Sequence, residues 1–179
     1  LVAHIIQLSR LDEKNSDLPF EEVDLYEMAE DVVQHLESAA KKKNITVSLD
    51  GSPVMVNGVR HVIYEMLFNI ADNAIRYTDP KGTVKISLGM RGEHPYYCVE
   101  DNGIGIAEDE QKRIFERFYR VDKSHSREIG GTGLGLAIAR NAVIVHRGSI
   151  KVHSNEGEGT TFTVRIPLIY TTVPEGVGR

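Results

Sequence analysis

The run Gly130-Gly131-Thr132-Gly133-Leu134-Gly135-Leu136 restricts what this chain can fold into more than any other stretch. Four glycines in six positions are poor company for a regular strand or a helix interior, yet Ala137-Ile138-Ala139 directly after them is apolar and helix-compatible. The stretch reads as an open loop that becomes the first turn of a helix from Leu134 to His146. At such a start, free N–H groups and the helix dipole form a site for an anion. It is not a P-loop, because the Gly-Lys-Ser/Thr ending is absent. It is not a dinucleotide fingerprint either, since the spacing is G-x-G-x-G and no strand leads directly into it. The plainer alternative is a flexible loop ahead of a glycine-tolerant helix.

Length and composition bound the rest. A chain of 179 residues suits one domain. With 41% hydrophobic and 26% charged residues, 16 Gly and 6 Pro, it is neither disordered nor fibrous. No apolar run approaches the ~18 residues of a membrane-spanning helix. The single cysteine, Cys98, excludes an intramolecular disulfide and suits a reducing compartment. A net charge of −5 argues against broad phosphate neutralisation, so no nucleic-acid partner is expected. Residue 1 already lies in an apolar pattern with no initiating Met, which reads as a piece of a longer protein.

Leu1, Ile5, Leu8 and Leu11 recur at helical spacing before the polar stretch Asp12 to Asp17, predicting a helix end and a linker. A short strand is expected over Phe20 to Val23. Asp24 then serves as N-cap, with Glu27 completing a capping box, for a helix to about Lys43 that buries Leu25, Met28, Ala29, Val32, Val33 and Leu36. Lys41-Lys42-Lys43 reads as a solvated helix end. Ile45 to Leu49 and Val54 to Val56 read as strands, and Gly58 to Tyr77 as a long helix ended by Asp79-Pro80-Lys81-Gly82. Further strands are expected at Thr83 to Leu88 and Tyr96 to Glu100, then a glycine-bearing turn, Asp101 to Ile106, and a helix from Glu108 to Phe118. Asp122 to Gly131 reads as a lid. A hairpin of Ser149 to Ser154 and Thr160 to Ile166, turned at Asn155 to Gly159, closes the pattern. The expected class is α/β, a two-layer sandwich of a mixed β-sheet covered by helices on one face.

On the long helix, Glu65, Asn69, Asp72, Asn73 and Arg76 share one arc, with Ile63, Leu67, Ile70, Ala71 and Ala74 opposite. Amphipathicity alone produces such a split. Asn is nevertheless a poor interior helix residue, and here two stand one turn apart. Their carbonyl oxygens, with water and phosphate completing the shell, suit Mg²⁺. Asp101 arrives at the end of a strand, and Gly103 and Gly105 let backbone approach closely. An ionised Asp accepts only, and so suits an exocyclic amine such as that of adenine. A tight hairpin turn is the competing reading there. Arg120 lies where the lid begins and suits a phosphate.

Each element is ambiguous, but in this order and spacing Glu65 to Tyr77, Asp101 to Ile106, Phe115 to Arg120 and Gly131 to Leu136 resemble the N, G1, F and G2 boxes of sensor histidine kinases of two-component systems. The resemblance covers about residues 20 to 168 and implies a Bergerat-type ATP-binding fold. By that resemblance, Asn69 and Asn73 serve Mg²⁺, and Asn69 and Arg120 are catalytic. Arg76 and Tyr77 contact phosphate and nucleotide, Asp101 binds adenine, and Gly103, Gly105 and Ile106 form its turn. Arg120 reaches the γ-phosphate of ATP, and Gly131, Thr132, Gly133, Leu134, Gly135 and Leu136 form the phosphate loop. Residues 1–14 resemble the end of the second helix of a dimerisation and phosphotransfer hairpin, 15–170 the catalytic domain, and 171–179 a tail. The phospho-accepting histidine is missing: His4, His35, His61, His94, His125, His146 and His153 all lack its context. No autophosphorylation is therefore expected of these residues alone.

The resemblance implies transfer of the γ-phosphoryl group of Mg-ATP to a histidine on that hairpin, then to an aspartate of a response regulator receiver domain. It also implies a cytoplasmic domain of a membrane-anchored bacterial homodimer, the piece itself being monomeric. One alternative is a related ATPase or serine kinase, disfavoured because those relatives carry a glutamate where this chain has Asn69, and an amide cannot accept a proton at neutral pH. The other is a nucleotide-sensing interaction module without phosphotransfer.

Overall fold

The computed structural model describes residues 18–121 and 131–167. The expected helix end at Leu1 to Leu11, the linker, most of the lid and the tail lie outside the described residues. Seven strands and three helices follow in the order β1 (Glu21–Asp24), α1 (Leu25–Lys42), β2 (Thr46–Gly51), β3 (Met55–Gly58), α2 (Arg60–Tyr77), β4 (Thr83–Arg91), β5 (His94–Asp101), α3 (Gly135–Val145), β6 (Ser149–Asn155) and β7 (Gly159–Arg165). Five strands form a mixed sheet in the order β2-β4-β5-β7-β6, parallel only between β2 and β4.

Alternation along the strands points Val84, Ile86, Leu88, Tyr97, Val99, Phe162 and Val164 into one core, which the helices cover. Lys85, Glu100, Lys151, His153 and Arg165 alternate with them towards solvent, leaving the other face polar. The expected two-layer arrangement is thus present. No helix among the described residues is long and apolar enough to cross a membrane.

Three features depart from expectation. The strands at Glu21–Asp24 and Met55–Gly58 leave the main sheet and pair antiparallel with each other. Asp24 caps α1 as expected, but its Oδ1 accepts from the Tyr26 N–H at 2.9 Å and from the Val54 N–H at 3.4 Å, so the cap also ties β3 to the helix. Lys43 is not simply solvated: its Nζ donates to the carbonyls of Ile75 (3.0 Å) and Arg76 (2.8 Å), satisfying the C-terminus of α2.

The third departure is Glu108 to Phe118, which is not a regular helix but a succession of tight turns. Glu110, Arg113, Glu116 and Tyr119 donate to carbonyls three residues back, and Phe118 sits at φ +64°, which no helix tolerates.

Two buried polar side chains hold α2 in place. The Tyr97 hydroxyl, wholly enclosed and with its pKa pushed far up by burial, donates to Leu67 O at 3.1 Å. His146, fully buried, contacts Ala142 O through Nδ1 at 2.7 Å and accepts the Val59 N–H at Nε2 at 3.0 Å. That pair of contacts requires the neutral ring, and burial lowers its pKa. The unfolded ring takes up its proton near pH ~6.5 while the folded ring resists, so stability is full above that pH and falls as pH drops through it. Urea unfolding midpoints should therefore decrease from pH 7.5 to 5.5, and the decrease should be smaller in His146→Gln.

Candidate active site

One cavity of about 430 Å³ opens between α2, the Asp101 turn, the 104–121 segment and the start of α3. Four stretches distant in sequence meet there because α2 lies on the sheet beside α3, and β5 ends and β7 begins against the cavity. Asn69, Asn73, Arg76, Tyr77, Asp101, Gly105, Ile106, Arg120, Gly131, Thr132, Gly133, Gly135 and Leu136, all singled out in the sequence, line it.

Gly103 and Leu134 do not line it. Gly103 shapes the turn instead, because its N–H donates to Asp101 Oδ1 at 2.9 Å, and a Cβ there would collide with the Tyr77 carbonyl. Leu134 is fully buried and packs with Ile138, anchoring the loop.

At one end stands Asp101, 8% exposed. Its Oδ1 accepts two backbone N–H groups, from Gly103 and from Thr160 (3.2 Å), while Oδ2 takes no hydrogen bond among the described residues. Burial raises its pKa, and the two N–H groups oppose that shift. The turn beside it is fixed from several directions. Ile104 N–H donates to Tyr77 O (3.1 Å), Gly157 N–H to Ile104 O (2.7 Å), and Ile106 N–H to Ser154 Oγ (2.8 Å). Gln111 Nε2 donates to both Ile106 O (3.0 Å) and Ser154 O (2.9 Å). Gly105 lies at φ +70° against the Asn155 carbonyl, where no side chain fits.

Along α2, Asn69 Nδ2 donates to Glu65 O at 2.7 Å, and Asn69 Oδ1 would lie 2.9 Å from a Cβ on Gly135. The amide nitrogen is thereby spent on the helix, and the oxygen is presented to the first turn of α3. Asp72 Oδ2 takes Arg76 Nε at 2.6 Å. The α3 N-terminus has no side-chain cap, so its first N–H groups are available to an anion. The F-box and glycine segments lean on one another: Phe118 N–H donates to Gly133 O at 2.9 Å, and Gly133, at φ +70°, leaves no space for a Cβ beside Phe118. Arg120 Nη2 lies 4.0 Å from the position a Cβ on Gly131 would take.

The donors of α2 are all oxygen and suit a hard cation. Among the described residues no cluster of three His, Cys, Asp or Glu could hold a metal alone, so phosphate and water would have to complete the shell.

A family described as "Histidine kinase-, DNA gyrase B-, and HSP90-like ATPase" matches residues 58–169. The chain belongs to this family. Within it, the likeness is to sensor kinases. The sensor-like histidine kinase SenX3 of Mycolicibacterium smegmatis is 40% identical over 169 residues, 93% of this chain and 44% of that protein. The chain spans less than half the length of the curated relatives it matches. The catalytic domain of the histidine kinase ThkA superposes with a TM-score of 0.74 at 28% identity, covering 84% of this chain and 97% of that one. Full-length ShkA, solved in complex with AMPPNP, gives a TM-score of 0.81 at 26% identity, covering 95% and 35%. The protein is thus an ATPase domain of the sensor histidine kinase type.

This ATPase domain also has lining residues that sequence reasoning did not assign to the site: Tyr64, Phe68, Ile114, Tyr119 and Thr160 among them. Tyr64 and Phe68 continue the Glu65–Asn69 side of α2, and their i,i+4 spacing was a usable signal. Thr160 enters only through the β5–β7 register, in which it pairs with Asp101.

Proposed function

We propose that this domain binds Mg-ATP in the cavity and passes the γ-phosphoryl group to a histidine on a phosphotransfer hairpin of its parent protein, from which a response regulator aspartate receives it. The observation that carries this reading is the convergence of Asn69, Asn73, Asp101, Arg120 and the glycine run on one cavity. Residues 1–14 then belong to the hairpin, 15–170 to the catalytic domain and 171–179 to a tail. The parent is a membrane-anchored bacterial homodimer, and the domain by itself is a monomer acting in the cytoplasm.

In this reading Asp101 accepts the exocyclic amine of adenine, and the turn at Ile104 to Ile106 packs on the base. The α3 N-terminus and Arg120 meet the phosphates. Asn69 and Asn73 hold Mg²⁺ through their side-chain oxygens, where it supplies neutralisation of phosphate charge. A neutral imidazole nitrogen of the acceptor attacks the γ-phosphorus. The P–N bond forms as the bond to the bridging oxygen breaks, ADP leaves with the electron pair, and the imidazolium loses its N–H proton to solvent. Positioning is the domain's main contribution. Asn69, an amide, offers no base to activate water at its place on α2.

The test supplies γ-labelled ATP, Mg²⁺ and the parent's hairpin to the domain. Acid-labile label on the hairpin supports the proposal. Release of inorganic phosphate alone would indicate a hydrolase, and binding without either product would indicate a nucleotide-sensing module.

A further inference from the structure

Among the described residues, three carboxylates line the cavity: Asp101, Asp72 and Glu65. Asp101 is held by backbone N–H groups at the base end, and Asp72 is paired with Arg76 at 2.6 Å. Glu65 differs from both. It has no ion pair among the described residues, and its carboxylate contact there is with Asn69 Nδ2, at 3.4 Å from Oε2. It stands one helical turn before Asn69, on the side of α2 away from Asp101 and Tyr77.

This inference rests on the proposed nucleotide reading, which runs the phosphates from the Asp101 end towards Asn69. A fixed negative charge there repels a triphosphate that arrives without a cation. With a cation between them the same charge attracts. The two asparagines contribute only neutral oxygens, whereas Mg²⁺ sites of this kind ordinarily include one or two carboxylates beside the phosphates. Asp72 is the other carboxylate on this face, and Arg76 neutralises it.

We propose that Glu65 makes nucleotide binding conditional on the divalent cation. Its charge weakens metal-free ATP and strengthens the metal-loaded form, so it sets the coupling between the two ligands more than the affinity for either.

The experiment is calorimetric titration of ATP into wild type, Glu65→Gln and Glu65→Asp, each with Mg²⁺ and with chelator. In Glu65→Gln, metal-free ATP should bind about three- to tenfold more tightly, and the enhancement by Mg²⁺ should fall by a similar factor. Glu65→Asp, which keeps the charge, should retain most of the enhancement. Mn²⁺ binding to the nucleotide-loaded protein, read by electron paramagnetic resonance, should weaken in Glu65→Gln and not in Glu65→Asp. Adenosine, which has no phosphates, should bind all three alike. An unchanged Mg²⁺ enhancement in Glu65→Gln overturns the role of Glu65, as does an equal change in adenosine affinity. No ATP binding by wild type would overturn the nucleotide reading itself. If Glu65→Gln does not fold by circular dichroism, Glu65→Ser replaces it as the neutral variant.

Discussion

Asp101→Asn should bind ATP about a hundredfold more weakly than wild type while remaining folded, the loss expected when a buried charged acceptor is removed from a ligand's N–H. The side chain remains the same size, and an Asn Oδ1 can still accept from the Gly103 and Thr160 N–H groups. What disappears is the charge facing the base: with Oδ1 kept on those two N–H groups, the amide Nδ2 takes the place of Oδ2 and presents a donor to a donor. Stability should move in the opposite direction. Burial raises the Asp101 pKa, so its ionised form is disfavoured by the fold at neutral pH. That cost is present above the folded pKa and is removed as pH falls below the unfolded value near ~3.9. Asp101→Asn should accordingly unfold at the same temperature as wild type or higher at pH 7, with the difference shrinking in acid. Calorimetry of binding and of unfolding on the same preparations checks both halves. Unchanged ATP affinity would remove adenine recognition from Asp101.

Arg120→Ala should slow phosphotransfer to the hairpin by about a thousandfold, by analogy with arginines that stabilise phosphoryl transfer from the edge of a site, while ADP affinity changes by less than about threefold. The distinction lies in where Arg120 sits. It enters the cavity beside Gly131, on the strip that Phe118 joins to Gly133, and not on α2 where Arg76 and Tyr77 stand. A group that reaches only the terminal phosphate acts in the transition state and leaves a diphosphate nearly untouched. Single-turnover transfer rates and ADP titrations separate these effects. Equal losses in both would mean that Arg120 binds nucleotide generally.

Much of this architecture was legible because two periods dominate the sequence. The helical period placed Asn69 and Asn73 on one face of α2, and the alternating period placed Phe162 and Val164 beneath it. The reading failed where long-range contacts outweigh local pattern. Glu108 to Phe118 is charged enough to suit a helix, but Gln111 is committed to Ile106 and Ser154, and Phe118 takes a left-handed backbone. Lys43 belongs to an ordinary basic run and acquires its role only because the end of α2 arrives beside it. Within the glycine run, motif position alone could not separate Leu134, which is core, from Leu136, which lines the cavity. Thr160 carries no local signal at all, since a residue on another strand gives it its role.

The bond from the Thr160 N–H to Asp101 Oδ1 spans 59 residues of chain. The turn beside Asp101 is likewise closed by Gly157 and Ser154 from the last hairpin. The proposed base recognition therefore does not exist in a partly assembled chain: on the ribosome, and in refolding, the Asp101 site is among the last features acquired, after the costliest loop closures have been made. A nucleotide that binds only this finished arrangement adds its binding free energy to the whole cooperative unit, rising with the logarithm of its concentration above Kd. In a cell rich in nucleotide, binding therefore adds to the stability of the junction between β5 and the 149–165 hairpin, whose strands are already paired without it.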